Sequence, residues 1–201
     1  MDFTSGLLEH TLVYRLWQAP FARKKFLPIF KYNDLTQARR VLDVACGPGT
    51  NAGYFGKSDY IGIDLNERYI QYARQHHKRN FIAVDACAFA PPPSEHFDFI
   101  LVNSFLHHLD TPDIDPLLSH LRTLLTPDGH IHILELAFPQ DERSIAHWLA
   151  QTDRGKFVRP LAQWRAIFEK HFEPVVVEPY PLGGAGTMLW QMIYFKGKQR
   201  R

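Results

Sequence analysis

The stretch Val41-Leu42-Asp43-Val44-Ala45-Cys46-Gly47-Pro48-Gly49-Thr50 decides how this chain folds. Its first half is a short apolar run bounded by a turn, the pattern of a buried strand. Its second half sets Gly47 and Gly49 in a turn, where the missing Cβ lets a ligand come close to the backbone. An acid, Asp43, stands inside the strand and ahead of both glycines.

Toward the C-terminus, short apolar strands alternate with helical stretches. Strands are expected at 60–64, 81–84, 97–102 and 130–136, and helices directly after the glycine turn, at 67–77 and at 114–125. Alternation of this kind predicts a parallel sheet wound on both faces. A helix-rich stretch over 141–171 follows, then two β-like runs at 174–181 and 188–196. These runs are joined by Leu182-Gly183-Gly184-Ala185-Gly186-Thr187, read as a flexible connection with no crossover helix, so they should be antiparallel. Toward the N-terminus, Leu7, Leu8, Thr11, Leu12, Tyr14, Leu16 and Trp17 keep a helical spacing that Pro20 ends. A second, basic and aromatic helix is expected at 23–30.

A chain of 201 residues suits one domain with a sizeable core. With 45% hydrophobic and 22% charged residues, disorder is excluded as a description of the whole. A formal charge of +2 gives no general attraction to nucleic acid, which needs a clustered basic face. The basic group Lys196, Lys198, Arg200 and Arg201 reads as a solvated end. Cys46 and Cys87 lack metal-type spacing, and their places beside strand ends predict small core residues. No leader pattern opens the sequence and no apolar run approaches the roughly 20 residues of a membrane helix, so a cytoplasmic, reducing setting is expected. The breaker cluster Ala90-Pro91-Pro92-Pro93-Ser94 is a loop, too short for an interdomain linker.

Gly47, Gly49 and Gly53 alone also fit a dinucleotide fingerprint. Asp43 separates the two readings. A carboxylate gains nothing beside a pyrophosphate, whereas a ligand carrying an ammonium and a sulfonium gains from it. Asp64 then closes the second strand about 20 residues on, the interval at which nucleotide folds place an acid on the ribose hydroxyls. Asp85 closes the third strand at a similar interval, placed to accept from an exocyclic adenine amine, with the Ala86 backbone beside the ring.

On these residues, 41–136 resembles the core of the class I S-adenosylmethionine-dependent methyltransferases. The matching parts are the Asp-x-x-x-Gly-x-Gly turn, Asp64, Asp85-Ala86, Phe97-Asp98-Phe99-Ile100 with Phe105-Leu106-His107-His108-Leu109, and Leu125-Thr126-Pro127-Asp128-Gly129. Ala45 stands where the family often has glycine, a minor departure. The resemblance implies a Rossmann-like α/β domain spanning 1–201, with a mostly parallel seven-stranded sheet, a reversed C-terminal strand and helices on both faces. Extra N-terminal helices (1–38) would cover the cofactor, and the helical segment 139–172 would lie over the acceptor. It implies that Asp43, Ala45, Gly47, Gly49 and Asn103 flank the methionine part of S-adenosylmethionine. Asp64 would hold the ribose and Asp85 and Ala86 the adenine, with Leu65 also among the cofactor-binding residues, and Tyr14 and Arg23 would close the site from the N-terminal side.

A sulfonium methyl is already electrophilic, so the protein's main task is to hold a nucleophile in line with it. A base is needed only for an acceptor that does not readily lose its proton. His107 and His108, in the loop after the fourth strand, are the base candidates, and the alternative is that the pair packs or caps the next helix. Glu135 either faces the substrate or pairs with a neighbouring cation. Trp17, Arg143, His147 and Trp148 are candidate acceptor-pocket residues, and burial of Ile145, Trp148 and Leu149 is the competing reading. After strand four, Asn103-Ser104-Phe105-Leu106 lacks the Asn/Asp-Pro-Pro-aromatic motif of amino methyltransferases for nucleobases and glutamine. No metal set is recognisable among the histidines. The expected acceptor is a small organic molecule, of natural-product or lipid-like character, taken by a monomer or homodimer. A nicotinamide-dependent oxidoreductase and a catalytically silent cofactor-binding module are the rival readings.

Overall fold

The strand 41–44 sits at the centre of the sheet because Val41, Leu42 and Val44 all gain by leaving water. In the computed structural model, which describes residues 21–200 other than 154 and 185, β1 (Arg40–Val44) has Val41, Leu42 and Val44 fully buried. It pairs in parallel with β2 (Asp59–Asp64) on one side and β4 (Phe97–Asn103) on the other, Leu42 lying opposite both Ile61 and Ile100. A strand enclosed on both faces and both edges reads as the near-continuous apolar run seen here.

From that centre the order is β3-β2-β1-β4-β5-β8-β7. β3 (Asn80–Ala83) and β5 (Leu125–Phe138) continue the parallel part, and β8 (Thr187–Gln199) runs antiparallel to both β5 and β7 (Phe172–Gly184). The expected sheet with one reversed strand is therefore present. A two-residue strand, β6 (Arg159–Pro160), pairs with the end of β5 and adds an eighth member. Strand order reverses between β1 and β4, so the crevice for a ligand opens at their carboxyl ends.

Alternation along the strands supplies one core per face. Leu42, Ile63, Ile100, Val102 and Ile133 pack against α3 (Thr111–Thr123) and α5 (Leu161–His171), where Trp164 donates its indole N–H to the Leu136 carbonyl at 2.8 Å. Val41, Phe99, Leu101 and Leu134 face α1 (Leu27–Tyr32) and α2 (Glu67–His76), which bring Ile29, Ile70 and Ala73. Asn66 caps α2, its side chain accepting from the N–H groups of Arg68 and Tyr69.

Three expectations are corrected, and a fourth, the helix-rich stretch, is refined. Only a short 3-10 turn, Ala52–Tyr54, follows the glycine turn, since Gly53 and Gly56 interrupt a segment that must reach β2 by residue 59. The stretch 141–171 divides into α4 (Ile145–Gln151) and α5, with a loop and β6 between them. The glycine-rich 182–187 segment is no loose connection: β7 and β8 stay paired to Gly184↔Thr187, and Gly186, at φ 79°, closes a tight hairpin. Cys46 is buried as expected, but Cys87 is exposed. The N-terminal helix expected before Pro20 lies outside the described residues; residues 21–25 are helical and lead into α1. No helix among the described residues is long and apolar enough to cross a membrane.

Candidate functional site

At the end of β1 the chain makes three left-handed residues in five, Ala45 at φ 54°, Gly47 at 55° and Gly49 at 80°. For Gly49 glycine is also a packing requirement, because a Cβ there would stand 2.8 Å from the Phe81 ring. Above Gly47 the space is open, so a ligand can meet the backbone there. Asp64, at the end of β2, reaches across the turn: one carboxylate oxygen accepts from Gly47 N–H at 2.9 Å and the other from Asn66 N–H at 2.8 Å. The turn and the acid are thus fixed to each other before any ligand arrives.

Asp43 lies beneath the turn and is fully buried. It accepts from the Tyr60 hydroxyl at 2.6 Å and from the Asn51 amide at 3.1 Å. Burial drives its carboxyl up to about 7, against the pull of those two donors, and nearby Asp64 adds to the rise. Asn51 extends the chain of contacts to Asn103 at the end of β4, whose amide N–H lies 3.4 Å from the Asn51 side-chain oxygen. The Asn103 side-chain oxygen is buried with no hydrogen-bond partner. An anionic oxygen and an orphaned acceptor beside an open turn suit a cationic ligand group.

The adenine-side candidates line up along the same edge. Leu65 is 76% exposed, an apolar side chain presented to solvent just beyond β2. Asp85 is exposed and accepts from Cys87 N–H at 2.8 Å, while half-buried Ala86 packs on the core. Parallel register sets the strand ends beside one another, Val44 opposite both Ile63 and Val102 and Asp64 opposite Ala83; Leu65 follows β2 directly, and Asp85 lies two residues beyond the end of β3, which it was expected to close. Tyr14 and Trp17 lie outside the described residues, and Arg23 is exposed on the 21–25 helical stretch.

Next to Asn103 the site changes character. His107, buried in the 3-10 turn Leu106–His108, lies between two carboxylates. Its Nδ1 hydrogen-bonds Glu135 of β5, and its Nε2 is 3.3 Å from Asp153, in the loop after α4. Burial alone would lower its pKa; Glu135 and Asp153 more than reverse this and hold it at about 9. Glu135 is fully buried and accepts from the backbone N–H groups of Phe105, Leu106 and Leu136 as well. Burial would push its pKa up, but His107 and the backbone donors bring it below the usual value. Of the two roles open to Glu135, it takes the pairing with a cation. At neutral pH the imidazole carries both protons, each facing a carboxylate, so it lacks the lone pair a general base needs. His108 is exposed, its ring centroid 4.3 Å from that of His107.

Beside this cluster, at the carboxyl ends of β4 and β5, is a cavity of about 40 Å³. Ser104, His107 and Asp153 line one side, and Phe21, Trp190 and Met192 another. Lys25 also enters it. Burial lowers its amine to about 8, although Glu135 and Asp153 act in the opposite sense. Neither Lys25 nor Asp153 was legible as a site residue. Lys25 sits in the run Arg23-Lys24-Lys25, which reads as a solvated face, and Asp153 reaches His107 only through tertiary structure.

The acceptor-pocket candidates on and near α4 are spread out. Half-buried His147 stacks on Phe138 with 4.9 Å between ring centroids. Arg143 is exposed, and Ile145 and Trp148 are 59% and 61% exposed. The buried face of α4 is Ala146 and Ala150, so neither Ile145 nor Trp148 anchors the helix. No group of three His, Cys, Asp or Glu side chains converges as a metal set among the described residues.

Residues 41–129 match a family described as a methyltransferase domain. Among characterised relatives, the fatty-acid O-methyltransferase of Mycolicibacterium smegmatis is 32% identical over 121 residues, covering 55% of this chain and 43% of that protein. The trans-aconitate 2-methyltransferase of Delftia acidovorans is 29% identical over 119 residues, covering 56% and 42%. The polyketide synthase component of the lovastatin nonaketide synthase of Aspergillus terreus is 26% identical over 161 residues, covering 67% of this chain but 5% of that one. The chain thus spans less than half the length of these relatives. Two solved structures share the fold. The plantazolicin methyltransferase BpumL, in complex with a pentazolic desmethylPZN analog and SAH, superposes with a TM-score of 0.71 at 18% identity, covering 94% of this chain and 90% of that one. The N-methyltransferase NodS of Bradyrhizobium japonicum, in complex with S-adenosyl-L-homocysteine, gives 0.67 at 18%, covering 90% and 89%.

Proposed function

From the premise that this chain carries a methyltransferase domain on the class I S-adenosylmethionine-dependent methyltransferase fold, we propose that it transfers a methyl group from S-adenosylmethionine to a small organic acceptor. The observation that carries the proposal is the left-handed Ala45–Gly49 turn tied to Asp64 at the switch point of the sheet. The relatives act, by their names, on small molecules such as a fatty acid and aconitate, which supports the acceptor class.

The residues present fit the cofactor. Asp64 would accept both ribose hydroxyls, and Gly47 would offer its backbone to the amino-acid end. Asn103, whose orphaned oxygen needs a donor, would take the ammonium, with Asp43 supplying negative charge from below. Exposed Leu65 and the Asp85-Ala86 pair would enclose the adenine. When bound, S-adenosylmethionine supplies a methyl group made electrophilic by the sulfonium. The protein's own contribution is then orientation and exclusion of water, with the acceptor entering from the His107 side of Asn103.

Calorimetric titration with S-adenosylmethionine and S-adenosylhomocysteine, with NADPH as control, tests this. Micromolar binding of both sulfur ligands is expected. Asp64→Ala, which leaves two ribose hydroxyls unpaired, should weaken it by about 1–3 kcal/mol. Failure of both to bind, or tight binding of NADPH instead, would remove the proposal and leave the fold alone.

A further inference from the structure

Lys25, His107 and Asp153 line the cavity beside Asn103, with Glu135 buried behind His107, and these two cations and two carboxylates are not paired evenly. Both carboxylates belong to His107: Glu135 through Nδ1 and Asp153 through Nε2. Their remaining contacts are to backbone N–H groups, Phe105, Leu106 and Leu136 for Glu135 and Gly155 for Asp153. Lys25 feels both at a distance and is hydrogen-bonded to neither. Around it the walls are apolar, with Phe21 and Trp190 in an edge-to-face contact at 5.2 Å and Leu136, Leu182 and Met192 beside them. Lys25 is half-buried among these walls, and no described residue is seen to accept from its ammonium, which leaves it open to an anion that enters the cavity.

We propose that this cavity is the acceptor's anion subsite, and that the acceptor is a carboxylic acid with an apolar body whose carboxylate is held by Lys25, with the Ser104 hydroxyl beside it. The inference rests on the methyltransferase reading and names the substrate class of that same site.

The chemistry agrees with how His107 is held. An acceptor alcohol or ammonium must lose a proton, which calls for a base with a free lone pair. A carboxylate has no proton to lose. One of its oxygens forms the new O–CH₃ bond while the S–CH₃ bond breaks, and the pair of electrons in that bond stays on sulfur. No proton moves, and the product is a methyl ester. His107, locked as a double donor, then positions Asp153 and the loop that closes the cavity and takes no part in proton transfer. The ester has lost the charge Lys25 held, which favours its release.

The test measures binding of decanoate, decan-1-ol and decylamine to the full chain by calorimetry, with and without S-adenosylhomocysteine. It compares wild type with Lys25→Met and Lys25→Arg. Decanoate is expected to bind at least about tenfold more tightly than decanol, a difference of about 1.4 kcal/mol. Decylamine should bind more weakly than either. Lys25→Met should abolish the preference for decanoate and Lys25→Arg should keep most of it, with S-adenosylhomocysteine affinity unchanged in both. Equal binding of decanoate and decanol by wild type, or a preference that survives in Lys25→Met, would overturn the inference. Failure of wild type to bind S-adenosylhomocysteine would instead count against the cofactor reading, because the decanoate arm without it reports on the cavity separately.

Discussion

At the residue scale, Asp43 is expected to set how affinity for S-adenosylmethionine depends on pH. Its carboxyl is raised to about 7, chiefly by burial, so below that pH it is protonated and neutral. A ligand bearing an ammonium and a sulfonium favours the ionised form, so binding expels a proton, and affinity rises as pH climbs through 7. The competent fraction falls to about one tenth at pH 6, so the dissociation constant of S-adenosylmethionine should rise about tenfold between pH 8 and pH 6. Calorimetry in two buffers of different ionisation enthalpy should detect the released proton. Asp43→Asn should flatten the profile, and a flat profile in wild type would take this role from Asp43. The acids at the strand ends were legible because a strand's length and the turn after it fix where its last residue stands. The contacts that give Asp43 its character, Tyr60 and Asn51, were not, because they come from the next strand and from the turn after the glycines. Lys25 was hidden for a related reason: a lysine among lysines carries no pattern that says which one faces inward.

At the scale of elements, the loop between α4 and β6 is keyed to His107. Phe157 N–H donates to the His107 carbonyl at 3.0 Å, and Asp153 meets the ring. Gly155 lies so close that a Cβ would fall 1.8 Å from His107 Cδ2. Gly155→Ala must therefore push the loop off the imidazole, an overpacking cost of about 1–3 kcal/mol. The expected outcome is a lower thermal midpoint and weaker binding of the acceptor, with S-adenosylhomocysteine affinity retained because the glycine turn is untouched. Titrations of the variant with S-adenosylhomocysteine and then decanoate separate the two, and equal loss of both would show that the loop also supports the cofactor. The alternation of strands and helices through residue 136 was legible because hydrophobic period and breaker residues are local signals. The loop was not, since Asp153 and Gly155 acquire their roles from a residue far away in sequence. The helix wrongly expected after the glycine turn fails on length, because a chain that must return to β2 by residue 59 has room only for a 3-10 turn.

For the whole molecule, the His107 cluster ties three parts of the chain together: the turn after β4, strand β5 and the loop after α4. That link depends on one proton. The imidazole pKa is held at about 9 in the folded protein, above the usual histidine value of 6.5. A raised histidine contributes stability in full below the unfolded pKa and loses it as pH rises through the folded one. Two other groups act elsewhere. His132, buried and held well below 6.5, raises stability with pH only up to that value, and Lys25, lowered to about 8, relieves its burial only as pH climbs from there toward 10.5. Asp43 pulls in the same direction as His107, but its share ends near pH 7. The window from pH 7 to pH 8 therefore belongs mainly to His107, where stability should fall by at most about 1.4 kcal/mol per pH unit. Urea denaturation midpoints at closely spaced pH values would record this decline. His107→Gln keeps one donor for buried Glu135 while removing the titration, so it should be less stable at pH 7 and nearly level from 7 to 8. A wild-type midpoint that holds steady across that window would mean the imidazole is neutral, and with it the lone pair needed for base catalysis would return.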